Sequence, residues 1–341
     1  MVPVVYGQNA AQEKWRTKMK KLLKISAVTL VAAVIFITAG IIWISKDNVN
    51  IGSVYALAQE NLKIGESNFE YTPPERFDLS KVSSKSEIRS LGYELNEFNT
   101  IELYAENCAV EFIVTNGDLM SATVDDGDLT TAVTGGTLYV QATSQGEGEL
   151  TIGMPDTYKG GFTVNTSECT VALGTLDSAM DMRFNLYKTA LSADSLSADS
   201  ITFMTSGSSV TIKDITATDG LTVSSDSTEL KASNIAAKYT NLTLNNSTSE
   251  LSVASGSLSC DSRMSDINAS FDAVTGNISL DLTAGRANLK LPNQNDIVIR
   301  HDEDYGVFQD KTKSAQNSAT KPAVHYTMET NIKYGIVTVT N

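Results

Sequence analysis

Carboxylates are the only abundant reactive side chains in this sequence of 341 residues. Aspartate and glutamate together number 40, lysine and arginine 26, cysteine three and histidine two. So few histidines exclude most histidine-based catalytic and zinc sites, and a glycosidase would need two carboxylates on one face. No such pair stands out, and the sequence has no phosphate loop, nucleophile elbow or Cys-x-x-Cys motif. We therefore expect a protein that is not an enzyme, with no catalytic, cofactor-binding or metal-binding residues and no cofactor.

Two acidic stretches contain the oxygen ligands that Ca²⁺ prefers. Asp125-Asp126-Gly127-Asp128 lacks the twelve-residue loop with a closing glutamate, and His301-Asp302-Glu303-Asp304 has no ligand pattern of its own. We interpret the first as an acidic turn and the second as a solvated loop. His325 is isolated and is expected in a strand. Arginine, a frequent base in polysaccharide lyases, is scarce in the central region, where only Arg183, Arg263 and Arg286 occur.

The three cysteines, Cys108, Cys169 and Cys260, are far apart and odd in number. They cannot all pair within one chain. Each lies in or beside a strand-like stretch, so we expect small buried apolar side chains rather than a disulfide framework.

One uncharged stretch of 21 residues, 25–45, is long enough to span a bilayer as a helix. Residues 1–24 carry a net charge of +5 and the remainder −19, so the positive-inside rule places the N-terminus in the cytoplasm. The alternative is a cleaved signal peptide with Ala56-Leu57-Ala58 as its cleavage site, but the apolar run is longer than an ordinary one. We expect a cell-membrane protein with a single span in contact with lipid and an extracellular C-terminal domain.

This interpretation divides the chain into a basic cytoplasmic tail at 1–24, the transmembrane helix, a juxtamembrane linker at 46–78 and a β-rich domain at 79–341. Pro73-Pro74 suits an extended linker. The formal net charge of −14 argues against a nucleic-acid partner, because phosphate binding needs clustered lysine and arginine.

The β-rich domain has short alternating runs at regular intervals, typical of strands. One series starts at Phe162, Met182, Ile201, Leu221, Leu242, Leu258 and Ile278. A second series starts at Val210, Leu230, Leu251, Ile267 and Ala287. Both series have steps near 20 residues and shorten to 16 at the same place, as one deletion in one repeat would produce.

Repeats of this length predict a parallel β-solenoid, in which inward residues of one coil stack on those of the next. Ile201 and Phe203 would stack on Leu221 and Val223, and these on Leu242 and Leu244. Segments 205–208 and 217–220 supply corners, 331–339 would close the stack, and 300–325 is expected to be a loop or cap. The alternative is a β-sandwich of antiparallel hairpins.

Two segments at the start of the repeats resemble a known family. Residues 148–155 read GELTIGMP and residues 158–167 read YKGGFTVNTS, which looks like the putative adhesin domain of Gram-positive bacterial membrane proteins. Leu289-Lys290-Leu291-Pro292 repeats the first element in shortened form. Ser255-Gly256 and Thr275-Gly276 match the corners of that family, whereas Ser167-Glu168-Cys169 departs from them.

The resemblance covers roughly residues 80–341. The family is similar to autotransporter-adhesin head domains, and this implies a right-handed β-solenoid-like fold, outside a single membrane anchor, without established catalytic residues. The first functional hypothesis is therefore a surface module that binds cell-wall polymer, glycan or another surface protein, or has a structural role. The second is an envelope-stress sensor or regulator that acts through a membrane partner.

Overall fold

The computed structural model describes residues 71, 86–87, 90–292, 297–312 and 326–341. These residues form an all-β structure, and no helix among them could cross a membrane. The predicted tail and transmembrane helix, the linker apart from Tyr71, and His325 lie outside the described residues. The strands are β1 (86–87), β2 (90–94), β3 (100–115), β4 (119–124), β5 (128–134), β6 (137–155), β7 (161–167), β8 (170–177), β9 (182–187), β10 (190–206), β11 (209–226), β12 (229–245), β13 (248–271), β14 (278–290), β15 (297–304), β16 (307–310) and β17 (326–340).

Parallel pairing of successive coils dominates the structure. Strand β7 pairs with β9, β9 with β10, and the ladder continues through β11, β12, β13 and β14 to β17, every pair parallel. Phe162 lies beside Met182, Met182 beside Ile201, and Ile201 beside Leu221. A sandwich of antiparallel hairpins would pair these strands antiparallel, so the architecture is solenoid-like. The right-handed winding implied by the family resemblance stays a prediction.

The predicted register was wrong at one coil, by two residues. Leu221 pairs with Thr240 rather than Leu242, and Leu230 pairs with Ser249 rather than Leu251. Leu242 instead lies between Val223 and Cys260. Because side chains alternate with a period of two, a slip of two residues keeps the correct face. Thr240 and Ser249, both buried, occupy the two positions where we expected leucine. The predicted shortening of one step to 16 residues is therefore absent from the observed pairing.

Each coil turns its corner on a residue with a left-handed backbone. Gly207, with φ of 60°, confirms the corner predicted at 205–208. Most equivalent corners carry an ordinary side chain at positive φ, a conformation that costs L-residues about 1–2 kcal/mol. The corner residues are Asn107, Glu168, Lys188, Gly207, Ser227, Asn246, Met264, Ala284 and Tyr334.

The residue after most corners is buried, and in the central coils it is serine or threonine. Ser208 accepts a hydrogen bond from the backbone N–H of Thr189 at 3.1 Å and donates to the carbonyl of Leu186. Two coils further on, the Ser247 hydroxyl accepts from the N–H of Thr228 at 3.2 Å and donates to the carbonyl of Asn245. These hydroxyls satisfy backbone groups that the turn would otherwise leave unpaired, which explains their types.

The N-terminal end departs from the simple coil order. Strand β3 lies between β6 and β7, parallel to both, so the chain adds β6 on one side of β3 before crossing to the other. Strands β1, β2, β4 and β5 pair antiparallel at this end. Periodicity could not reveal this because the hairpins and the parallel coils share the same alternation.

The C-terminal end also differs from the prediction. Residues 331–339 lie within β17, which pairs with β14 on one side and with β15 and β16 on the other. Strand β17 is therefore an inner layer, and part of the predicted loop at 300–325 forms two further parallel strands. Their many polar residues reflect an exposed position, since every side chain of β15 is exposed or half-buried.

Candidate functional site

The acidic stretch Asp125–Asp128 is a structural turn between β4 and β5. The Asp125 carboxylate accepts hydrogen bonds from the backbone N–H groups of Asp126 and Glu149, both at 2.6 Å. The bond from Glu149 is the largest cause of the lowered pKa of Asp125. Gly127 has φ of 144°, and an added Cβ would lie 2.4 Å from the Thr143 carbonyl oxygen. This carboxylate therefore fixes a turn, and the described residues contain no metal-binding cluster.

The second acidic stretch is a strand rather than the loop we predicted. His301 and its acidic neighbours belong to β15, and the His301 ring stacks on Phe308 with centroids 4.4 Å apart. The His301 Nδ1 atom lies 3.1 Å from a Glu303 carboxylate oxygen. His301 and Glu303 therefore lie on the surface of the last described layer of the solenoid.

All three cysteines are free and buried, as predicted. Burial raises the pKa of the Cys169 thiol to about 11 and also raises the pKa of Cys108 and Cys260. Each thiol is thus held in its unreactive protonated form. Cys108 and Cys169 occupy the buried position that follows the corner, where later coils have serine or threonine.

Small polar side chains repeat on the outer faces of the parallel strands. Asn234 donates from its amide to the Asp214 carboxylate in the preceding coil at 2.6 Å, and Asn288 donates to Asn268 at 2.9 Å. Such rungs recur because parallel in-register strands bring equivalent residues about 4.8 Å apart. The outer surface is therefore a regular array of amide, hydroxyl and carboxylate groups.

One concave feature interrupts this array, beside the first regular coils. The outward position of Gly161 has no side chain, and its neighbours in adjacent layers leave a cleft of about 430 Å³. An added Cβ at Gly161 would lie 3.4 Å from the Asp181 carbonyl oxygen and 3.7 Å from the Thr100 hydroxyl. We name this feature the Gly161 cleft; the lining residues that matter below are Thr100, Gly161, Met180, Asp181, Arg183 and Asp199.

The charged groups of the Gly161 cleft are only loosely paired. The Arg183 guanidinium lies 3.9 Å from the Asp181 carboxylate, which is longer than a hydrogen bond, and more than half of each side chain is exposed. The Asp199 carboxylate accepts a hydrogen bond from Thr218 at 2.9 Å. Met180 is 41% exposed at the margin of the cleft. The lining thus offers donors, acceptors and an apolar surface together.

The backbone floor of the cleft is held rigidly from beneath. The Tyr158 hydroxyl donates to the Gly161 carbonyl at 3.0 Å, and the Tyr158 ring packs edge-on against Phe162 at 5.1 Å. Burial raises the pKa of Tyr158, so this donor stays protonated. The Ser178 hydroxyl accepts from the N–H of Met180 and donates to the Gly160 carbonyl. The shape of the cleft is therefore set before any ligand arrives.

Sequence reasoning missed this cleft. Arg183 was noted only for the scarcity of arginine, and the structure places Arg263 and Arg286 on later coils. The available signal was glycine at 161, in an outward strand position that most other coils fill with a side chain. To recognise Gly161 as an outward position, one must know which residues pair between strands, and the sequence predicted that pairing only in part.

A stack of parallel coils with polar outer rungs defines a β-solenoid-like domain. Residues 94–336 match the Toastrack DUF4097 family, and the chain belongs to that family. This confirms the resemblance to adhesin-domain proteins found in the sequence.

The chain is similar to several solved structures at low sequence identity. A "putative adhesin" from Bacteroides fragilis is 14% identical with a TM-score of 0.37, covering 75% of this chain and 98% of its own. A "putative cell adhesion protein" from Clostridium sporogenes is 9% identical with a TM-score of 0.22, covering 75% and 99%. A "putative lipid binding protein" from Parabacteroides distasonis is 10% identical with a TM-score of 0.41, covering 76% and 97%. No curated protein sequence matches the chain.

Proposed function

We propose that this chain is a single-pass membrane protein that displays its solenoid at the cell surface, in a non-catalytic binding or structural role. Residues 25–45 anchor it in the bilayer, residues 1–24 face the cytoplasm, and the solenoid is extracellular. Its ligand is a wall polymer, a glycan or another surface protein. The apolar run and the charge asymmetry of its flanks support the topology.

One observation carries the binding role, namely the outer ladder of the parallel coils. Equivalent polar side chains recur at the spacing of adjacent strands, as the exposed Asp214–Asn234 and Asn268–Asn288 pairs show. A regular array of this kind can contact a repetitive or extended ligand at many weak points. Linked weak contacts give useful avidity without a deep pocket.

The topology is tested by labelling intact cells with a membrane-impermeant amine reagent and mapping the modified lysines by mass spectrometry. Lys213 and Lys231 have exposed side chains and should be labelled on intact cells. Lys14 and Lys18 should be labelled only after lysis. Labelling of all four lysines only after lysis would contradict the surface location.

The binding role is tested with the full chain in detergent, as bait for solubilised wall polymers and surface proteins. We expect at least one polymer or protein to be retained by the bait and not by a detergent blank. Retention of nothing would contradict the binding role. Incubation of the chain with wall glycans should release no fragments, and cleavage would contradict the non-catalytic assignment.

A specific contact favours the regulatory function as a second candidate. Tyr71, from the segment we interpret as the linker, stacks on Tyr187 of β9 with centroids 5.8 Å apart, and burial raises its pKa to about 12. A ligand on this face of the solenoid would therefore compete with a contact made by the linker. Deletion of residues 1–24 separates the candidates, because surface binding should survive it and signalling should not.

A further inference from the structure

The Gly161 cleft is a place on the described surface where donors, acceptors and an apolar group converge on a rigid floor. Its volume of about 430 Å³ lies within the usual range of about 300–1,000 Å³ for small-molecule sites. The floor is backbone held by Tyr158 and Ser178, so binding would not need to order it. We infer that this cleft binds a neutral sugar unit of a glycan, an inference that rests on the proposed surface-binding function.

The chemistry of the lining selects this ligand class. The Asp181 and Asp199 carboxylates only accept hydrogen bonds, the Arg183 guanidinium only donates, and the Thr100 hydroxyl does both. Neighbouring hydroxyls of a sugar can donate to a carboxylate and accept from a guanidinium. Met180, exposed at the margin, can cover the apolar C–H face of the ring.

Charged ligands fit the same lining less well. Two carboxylates and one guanidinium give the cleft a net charge of about −1 at neutral pH, which disfavours phosphates and acidic sugars. A cationic ligand would satisfy the carboxylates but leave the five N–H donors of Arg183 without acceptors. Among the described residues the guanidinium has one ionic neighbour, the Asp181 carboxylate at 3.9 Å, so those donors are available.

The glycine itself provides a steric test that leaves charge unchanged. Gly161 has no positive φ, and an added Cβ would make only ordinary contacts at 3.4 to 3.8 Å. Gly161→Leu therefore fills the cleft with little backbone strain. Gly174 is the matched control, because it lies in β8 with no positive φ and no atom within 4 Å of its added Cβ.

The experiment uses the full chain in detergent against an immobilised array of neutral and acidic oligosaccharides, followed by calorimetric titration of the best neutral probe. We expect retention of neutral oligosaccharides over acidic ones, a loss of affinity of at least tenfold in Gly161→Leu and Arg183→Gln, and no change in Gly174→Leu. The exposed Arg183 side chain makes Arg183→Gln informative even if Gly161→Leu folds poorly.

Two outcomes would overturn the inference: no oligosaccharide retained above background, or unchanged titration of the neutral probe by Gly161→Leu and Arg183→Gln. Its failure is distinguishable from failure of the proposed function. If the full chain still retains wall polymers or surface proteins while the array stays blank, the surface role stands and only the sugar subsite is lost. If the chain is also absent from the surface of intact cells, the proposed function fails with it.

Discussion

The coils formed by β7, β9 and β10 share a backbone course with those of β12 and β13, but their interiors differ in chemistry. In the first region, which we call the aromatic coils, Phe162, Phe184 and Phe203 are almost fully buried, and the rings of Phe184 and Phe203 stack at 4.8 Å. In the second, the hydroxyl coils, several inward positions between the leucine, isoleucine and valine residues are occupied by small or polar residues. The examples are Thr240, Ser247, Ser249, Cys260, Ser262 and Ser265.

This difference shows that the backbone course of a coil does not depend on which side chains fill its interior. Both regions keep the same left-handed corners and the same parallel ladders. Ser262 and Ser249 even bury hydroxyls that have no hydrogen-bond partner among the described residues. Because the stability of a solenoid is approximately a sum over coils and their interfaces, we expect the aromatic coils to be the more stable region.

The largest expected effect comes from Phe184→Ala. Phe184 is fully buried in β9, between β7 and β10, and its ring stacks on Phe203. Its removal leaves a cavity and should cost about 3–5 kcal/mol. Cys260→Ala is the matched control, since the Phe184 position continues through Phe203, Val223 and Leu242 to Cys260. The control removes one sulfur atom and should cost about 1 kcal/mol.

Hydrogen exchange of backbone amides in the two regions measures both effects locally, since a solenoid need not unfold in one step. Phe184→Ala should accelerate exchange in β7, β9 and β10 far more than Cys260→Ala does in β12 and β13. Equal effects of the two variants would contradict the comparison.

Within the hydroxyl coils, two serines only two residues apart should respond in opposite ways. Ser247 and Ser249 are both buried, but the Ser247 hydroxyl accepts from the N–H of Thr228 and from the hydroxyl of Ser225. Ser247→Ala leaves a buried donor unpaired and should cost about 1–3 kcal/mol. Ser249→Ala removes an unpaired hydroxyl and should be neutral or stabilise by up to about 1 kcal/mol.

Urea denaturation followed by circular dichroism compares the two alanine variants directly. A cost for Ser249→Ala as large as that for Ser247→Ala would mean that both hydroxyls are bonded. The roles assigned to the two serines would then be wrong.

The same hydroxyl positions explain how far the sequence could predict the fold. Alternation and a step near 20 residues predicted parallel coils, and inward Ile201, Phe203 and Leu221 were confirmed as buried. The register failed at Thr240 and Ser249 because polarity was taken to mean exposure. Whether a buried hydroxyl finds a backbone partner depends on the neighbouring coil, which one sequence does not specify.

The candidate site was less predictable than the fold. Asp181 and Asp199 have no sequence motif, and Thr100 is far away in the chain. Thr100 meets Gly161 because β3 lies between β6 and β7, whereas Asp181 and Asp199 reach it through the ladder of β7, β9 and β10. That crossing cannot be read from periodicity, since it changes the order of layers without changing the alternation.

The corners should behave alike in both regions, which sharpens the contrast between their interiors. Lys188 and Met264 have φ of 47° and 50°. Relief of the left-handed strain, about 1–2 kcal/mol, should exceed the entropic cost of glycine, about 0.5–1 kcal/mol. Lys188→Gly and Met264→Gly should therefore each stabilise by about 0.5–1 kcal/mol.

Gly207→Ala is the reciprocal variant at the same corner position. Its added Cβ would meet nothing closer than 3.6 Å, so only the φ of 60° should matter, at a cost of about 1 kcal/mol. Thermal denaturation of the three variants gives the ordering. Stabilisation by only one of the two glycine substitutions would show that the corners of the two regions are not equivalent.

The smallest expected effect concerns ion pairs between neighbouring coils. Lys213 contacts Asp194 across β11 and β10, and Lys159 lies 2.6 Å from Asp177. The Lys213 and Asp194 side chains are 74% and 60% exposed, so water and salt screen their attraction. A double-mutant cycle with Lys213→Gln and Asp194→Asn should give a coupling of about 0.5 kcal/mol or less, decreasing further at high salt. A coupling above about 1 kcal/mol would mean that surface charge adds to the stability that the interior of the aromatic coils provides.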